Sequence, residues 1–273
     1  MVKTICLDKK YSTTQLLTNK KPILVEKLED KFETDLFLPE GESRKGEGGL
    51  RTKGYFKKSY KDKPLVSIIT VVFNGDKYLE DTIKSVITQT YENVEYIIID
   101  GGSTDSTLDI IKKYEDKLKM KYIFQQNKGP GAARNLGMEK ADGDWFVFID
   151  SDCTVPSDYI KNLENHIKKD KCATFGGPDT YREDFPPFLK AVNYSMTSFI
   201  GTGGARGSKG KSVAKYYPRS FNMGIKREVF AKIGGMNEMR HGQDMDFSNR
   251  IYRAGFRVKF LPDVLVYHKR RTS

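Results

Sequence analysis

Residues 65–74 read LVSIITVVFN, residues 94–105 read VEYIIIDGGSTD and residues 145–152 read WFVFIDSD, and these three stretches decide the fold. Each contains a short β-branched or aromatic run, the pattern of a strand buried on both faces, and each ends in a polar turn. Burial of both faces needs helices above and below the sheet, and the chain between the runs supplies them. In 76–89 the apolar positions Leu79, Ile83, Val86 and Ile87 fall on one face, which predicts an amphipathic helix. After Asp100 a Ser or Thr of the turn can cap a second helix carrying Leu108, Ile111 and Leu118. Strand and helix in alternation are the sequence form of a largely parallel α/β sheet.

Outward from this unit the same alternation continues with less regularity. A short strand is expected at 122–125, a small-residue helix at 132–141, and a helix after Pro156 with Tyr159, Leu163 and Ile167 inward and Asp158 in its first turn. Then follow a strand at 173–175, a helix at 188–199, a Gly- and Lys-rich loop at 201–215, a strand at 221–225, two short helices and a last strand at 264–268. No internal repeat is visible. Before Pro64 the texture differs: mixed charge, few periodic apolar positions and the Gly-rich stretch GESRKGEGGLRTKG at 41–54. Residues 1–63 are therefore expected to form an arm or appendage, with strand-like pieces at 23–25 and 35–38 that could add edge structure. Residues 64–273 are expected to form the main domain, in two halves at 64–152 and 153–273.

With 273 residues, 38% hydrophobic and 30% charged, the chain is too apolar for a disordered tail and too polar for a membrane bundle. Its longest apolar runs, 65–73 and 96–99, fall far short of the roughly 18 residues that cross a bilayer. The N-terminus has no apolar stretch of signal-peptide length, so the expected location is the cytoplasm. Cys6, Cys153 and Cys172 are too scattered for a disulfide framework, and a structural zinc set is not expected either. A net charge of +11 favours an anionic partner: nucleic acid, anionic lipid or a charged small molecule.

In a parallel sheet, ligands gather beyond the carboxyl ends of the strands. Asp100 ends one expected strand, and Asp150 and Asp152 follow another. For Asp105 the plain alternative is a helix cap. Two carboxylates two residues apart after a buried strand crowd like charge where a cation would offset it, and hard oxygen ligands suit Mg²⁺ or Mn²⁺.

The segments VSIITVVFNGDKYLEDTIKSVITQTY at 66–91, VEYIIIDGGSTDST at 94–107, GPGAARNLGMEKADGDWFVFIDSD at 129–152, GGMNE at 234–238, GQDMDFSNRIYRAG at 242–255 and VYHKRRTS at 266–273 resemble, in this order, the family 2 glycosyltransferases. The resemblance covers 65–268, about three quarters of the chain. It implies the GT-A fold, a Rossmann-like mixed, mainly parallel sheet flanked by helices, here with an N-terminal appendage, with 64–152 as the nucleotide-binding half and 153–273 as the acceptor-side half.

The resemblance also implies roles. Val72, Phe73 and Asn74 would line the base pocket, and Asp100 would accept a hydrogen bond from a uracil-type imide. A second Asp often follows the first in the family, whereas Gly101 stands here. Gly131, Ala132, Ala133, Arg134 and Asn135 match the GxxxARNxG segment, with Arg134 reaching the nucleotide and tight helix packing the equal alternative for the two alanines. Asp150 would lie near the ribose. Asp152 would ligate Mn²⁺ or Mg²⁺ at the diphosphate, with His268 completing the metal site unless it is a plain surface histidine. Asp244 maps to the general base, and Gln243 stands where the family usually has Glu, in contact with substrate. His241 could lie near the acceptor or be structural, Asp246 is expected to pair with Arg250, Phe221 to Gly224 would back the acceptor pocket, and 201–215 could be a lid.

The activity implied is inverting transfer of a sugar from a nucleoside diphosphate, UDP by preference, to a glycan or lipid-linked acceptor in cell-surface polysaccharide synthesis. Nucleotidyl transfer and NAD-dependent oxidoreduction are disfavoured because no Gly-rich phosphate loop follows the first strand. Nucleic acid is disfavoured because base-reading motifs are absent. The alternatives are a catalytically impaired relative or a basic protein held at an anionic membrane by the arm and Lys269-Arg270-Arg271, which would make the location peripheral at the inner membrane face. Many relatives continue beyond the segment that ends at Ser273, so the resemblance leaves open a shortened chain or missing acceptor-side helices.

Overall fold

A computed structural model describes residues 11–16, 23–28, 48–49, 55–114, 120–124, 128–169, 172–197, 216–239 and 241–269. The expected strand at 35–38, Leu118, the 201–215 loop, Cys6 and the basic residues 270–271 lie outside them.

The three deciding stretches are the central strands. β5 (Val66–Val72) pairs in parallel with β6 (Val94–Asp100) on one side and with β8 (Trp145–Ile149) on the other. β7 (Met120–Phe124) extends the sheet in parallel beyond β6. On the far side β12 (Asn222–Lys226) runs antiparallel to β8, β10 (Thr174–Gly176) antiparallel to β12, and β13 (Val258–Phe260) parallel to β10. The sheet is thus mixed and mainly parallel, as expected. Its outer edge among the described residues is closed by β3 (Gly48–Gly49) against β7. The 23–25 piece falls instead in β2 (Ile23–Leu28), paired with β1 (Tyr11–Leu16) and β4 (Tyr55–Phe56) in a separate three-stranded sheet.

Alternation along β5 divides the core. Val66, Ile68 and Val72 pack on one face with Leu79 and Ile83 of α1 (Leu79–Ile87) and Ile111 of α2 (Thr107–Tyr114). Ile69 packs on the other with Ala133 and Met138 of α3 (Pro130–Lys140) and Phe247 and Ile251 of α7 (Gln243–Arg253). Helices therefore cover both faces, the arrangement that a continuous apolar strand requires. The remaining helices among the described residues are α4 (Tyr159–Lys169), α5 (Pro187–Thr197) and α6 (Arg227–Ile233). Among the described residues no helix is long and apolar enough to cross a membrane.

The start of α1 differs from expectation for an identifiable reason. α1 begins at Leu79 rather than at residue 76, because the Asp76 amide donates to the Asp105 carboxylate and the Tyr78 and Leu79 amides both donate to the Gly75 carbonyl, closing a turn first. The sequence pattern finds β14 (Val266–His268) as the last strand but passes over its partners β9 (Cys153–Thr154) and β11 (Asp179–Thr180), which complete a small sheet ordered β11-β14-β9. Those two-residue partners are too short to show a period. That sheet nonetheless sets part of the site.

Candidate active site

A pocket of about 450 Å³ opens at the carboxyl ends of β5, β6 and β8. Val72, Phe73 and Gly101 form its wall on the β6 side, and Arg134, Asp150 and Asp152 form its wall on the β8 side. Phe73 is 46% exposed, a large apolar side chain left open beside the pocket. The ends of β5 and β6 are tied to each other. The Gly101 amide donates to the Val72 carbonyl at 2.8 Å, and Asn74, with φ 51°, accepts from the Thr104 amide at 2.9 Å while its own amide donates to Ser103 Oγ. Asn74 thus ties the loop after β5 to the turn after β6. Asp105 is a helix cap, accepting from the Thr107 amide at 3.1 Å.

Asp100 is fully buried, and its oxygens accept from the Gly102 and Ser103 amides at 3.0 and 3.1 Å and from Ser103 Oγ at 2.5 Å. A carboxylate at a strand end can turn back in this way to bind the amides of its own turn. We therefore expect Asp100→Ala to lower stability by about 1–3 kcal/mol in urea denaturation through loss of these bonds. An unchanged unfolding midpoint would contradict the structural role.

Arg134 and Asp150 come together as a largely buried ion pair at 2.7 Å. Small residues on α3 allow the approach: a methyl group at Gly137 would lie 2.5 Å from Ile69 Cγ2, and one at Gly131 would lie 2.9 Å from the Asn237 carbonyl and 3.2 Å from the Gln243 side chain. Ala133, for which contact and packing were equal alternatives, does both, being buried and on the pocket wall. The start of α7 is thereby seated against the start of α3. Gln243 is buried there and donates its side-chain amide to the Met239 carbonyl, so it closes the loop before α7 and does not reach the pocket wall, contrary to the expected substrate contact. A Glu at this position would set a carboxylate oxygen against that carbonyl.

Asp244 follows on the first turn of α7, partly exposed, with Oδ1 accepting from the Met245 amide at 2.9 Å and Oδ2 3.5 Å from Arg219 Nη1. Arg219 was not marked by any motif. Asp246 pairs with Arg250 at 2.9 Å as expected, and His241 is exposed. Asn222, at the start of β12, is buried, accepting from Tyr159 Oη at 2.7 Å and donating to the Val264 carbonyl at 2.8 Å.

The small sheet brings the two expected metal ligands together. Cys153 of β9 pairs with His268 of β14, and the Lys269 amide donates to the Asp152 carbonyl at 2.9 Å. His268 Nε2 lies 3.4 Å from Asp152 Oδ1 and Nδ1 lies 3.6 Å from Asp179 Oδ2. Ligand atoms of Asp152, Cys153 and His268 all lie within 4.8 Å of one another. His268 is no surface residue: burial disfavours its charge, but contact with Asp152 and Asp179 outweighs this and raises its pKa from 6.5 to about 9. A carboxylate oxygen of Asp152 and the imidazole nitrogen of His268, 3.4 Å apart beside the pocket, are a donor set that fits a divalent ion once the imidazole is neutral.

This shift has a sign that can be checked in metal-free protein. Folded His268 binds its proton more tightly than the unfolded chain, so its contribution is complete below pH 6.5 and lost as pH rises through about 9. The expected loss is at most about 3 kcal/mol, read as a falling urea midpoint between those pH values in chelator and absent in His268→Gln.

Comparison with known proteins adds the following. A family described as Glycosyl transferase family 2 matches residues 67–234. The putative teichuronic acid biosynthesis glycosyltransferase TuaG of Bacillus subtilis is 36% identical over 135 residues, 48% of this chain and 53% of TuaG, so the chain spans about half the length of that curated relative. The structure of S. aureus TarS 1-349 in complex with UDP-GlcNAc superposes with a TM-score of 0.61 at 22% identity, covering 77% of this chain and 59% of that one. The mannosyltransferase PcManGT from Pyrobaculum calidifontis, in complex with GDP-Man and Mn²⁺, gives 0.58 at 20% identity over 77% and 58%. Likeness at these identities establishes a shared fold.

Proposed function

The chain belongs to glycosyl transferase family 2, and from that premise we propose that it transfers a sugar, with inversion, from a nucleoside diphosphate to a hydroxyl of a glycan or lipid-linked acceptor. The observation that carries this reading is the pocket itself, open at the strand ends with an aromatic wall on one side and Arg134, Asp150 and Asp152 on the other. That polarity suits a nucleotide. The base packs on Phe73, where Gly101 leaves the wall without a side chain, and the ribose and diphosphate extend toward Asp150 and Asp152.

Asp152 and His268 would hold the divalent ion, Mn²⁺ or Mg²⁺, whose chemistry is to neutralise charge on the departing diphosphate. Arg134 keeps Asp150 fixed by their ion pair. Asp244 takes the proton of the acceptor hydroxyl as that oxygen attacks the anomeric carbon from the face opposite the diphosphate. One displacement of this kind inverts the anomeric centre. Arg219 Nη1 lies 3.5 Å from Asp244 Oδ2 and can orient that carboxylate.

UDP sugars are the first donors to test, with the TarS complex as their support and the GDP-Man complex of PcManGT as the reason to include GDP sugars. The teichuronic acid name of TuaG supports a cell-surface polysaccharide as acceptor, and a net charge of +11 is compatible with work at an anionic surface. The deciding experiment is a panel of nucleotide sugars with Mn²⁺, read by thermal stabilisation and by slow hydrolysis. One nucleotide should raise the melting temperature above all others, since binding to the native state alone stabilises it. No stabilisation by any nucleotide, with metal present, would remove the reading.

A further inference from the structure

Asp179 belongs to no motif, yet it lies in the small sheet behind the metal-binding pair. β11 and β14 run in parallel with Asp179 opposite Val266, and side chains two residues apart on a strand share a face, so Asp179 and His268 point the same way. The Asp179 side chain is fully buried, and its Oδ2 lies 3.6 Å from Nδ1 of His268 while Nε2 faces Asp152 at 3.4 Å. The His268 ring is also braced by Phe221, with centroids 5.1 Å apart. One imidazole thus stands between two carboxylates, one near the pocket and one inside the protein.

We propose that Asp179 is a positioning residue: its carboxylate accepts the Nδ1 proton of His268 and so presents the lone pair of Nε2, beside Asp152, to the divalent cation that carries the donor diphosphate. This rests on the functional reading above and names a residue that the reading does not contain. The physical case is that a neutral imidazole has two tautomers, and only the one protonated on Nδ1 can ligate through Nε2. A carboxylate within reach of Nδ1 selects that tautomer, fixes the ring and makes the ligating nitrogen more basic. A buried carboxylate is costly without such a partner.

The test uses the full chain with Mn²⁺ and UDP. Free Mn²⁺ measured by electron paramagnetic resonance gives its dissociation constant, and spin-echo modulation reports a directly bound imidazole nitrogen. Asp179→Ala should raise the Mn²⁺ dissociation constant on the order of 10–100-fold and remove the nitrogen modulation. Asp179→Asn keeps an acceptor oxygen of similar size but weaker basicity, so it should retain the modulation with a smaller, measurable rise. An unchanged dissociation constant in Asp179→Ala overturns the proposal. So does a wild-type signal without nitrogen modulation, or, if the alanine variant does not fold, an Asn variant equal to wild type. Wild-type protein that binds no Mn²⁺ with any nucleotide of the panel removes the functional reading, and this proposal falls with it. Wild-type binding with an indifferent Asp179→Ala removes only the role of Asp179.

Discussion

Asp244→Asn should bind donor nucleotide as the wild type does and transfer sugar at least about a hundredfold more slowly, a loss of about 3 kcal/mol from transition-state stabilisation. An acceptor hydroxyl is a weak nucleophile near neutral pH and needs a base in reach while the new bond forms. Asparagine preserves the size of Asp244 and its acceptor for the Met245 amide, and removes the basicity. The fold should tolerate it: the pair with Arg219 is 3.5 Å long and partly exposed on both sides, where such pairs are worth little. Donor binding measured by calorimetry and transfer measured by released nucleoside diphosphate separate the two effects. Transfer at the wild-type rate would end the assignment of Asp244 as base. A product that retains the donor's anomeric configuration, followed by nuclear magnetic resonance, would end the single-displacement scheme.

The second large effect is expected at Asp152. Asp152→Ala should leave nucleotide affinity at the metal-free level whatever the Mn²⁺ concentration, and transfer should fall below detection. The side chain is 19% exposed at the pocket wall, so its removal opens little of the core. What it takes away is an oxygen ligand at the point where Asp152 and His268 converge, and the remaining imidazole is a poor site for a hard cation alone. Titration of UDP with and without Mn²⁺ checks this. Equal Mn²⁺-dependent affinity in variant and wild type would move the metal elsewhere.

The central strands were legible because burial of both faces leaves a continuous apolar run, and Leu65 to Phe73 differs from β5 (Val66–Val72) only at its ends. Helices α1, α2 and α4 were legible from their apolar faces and α3 from its small residues, and the placement of Asp150 and Asp152 at the rim followed from where β8 had to end. These are local consequences of chain periodicity, and chain periodicity is written in consecutive residues. The directions of side chains at the rim were not. Asp100 and Asn74 turn into the loops they begin, and Gln243 onto the Met239 carbonyl, because nearby backbone donors and acceptors claim short polar side chains. Nothing in a sequence motif distinguishes a carboxylate that faces a pocket from one that caps its own turn. Asp179 and Arg219 were invisible for a different reason: Asp179 meets His268, 89 positions later in the chain, only through the pairing of β11 with β14, and Arg219 meets Asp244 only when β12 and α7 pack. Periodicity along the chain determined the layers of this protein, while long-range pairing of strands too short to have a period decided which charges stand together at its site.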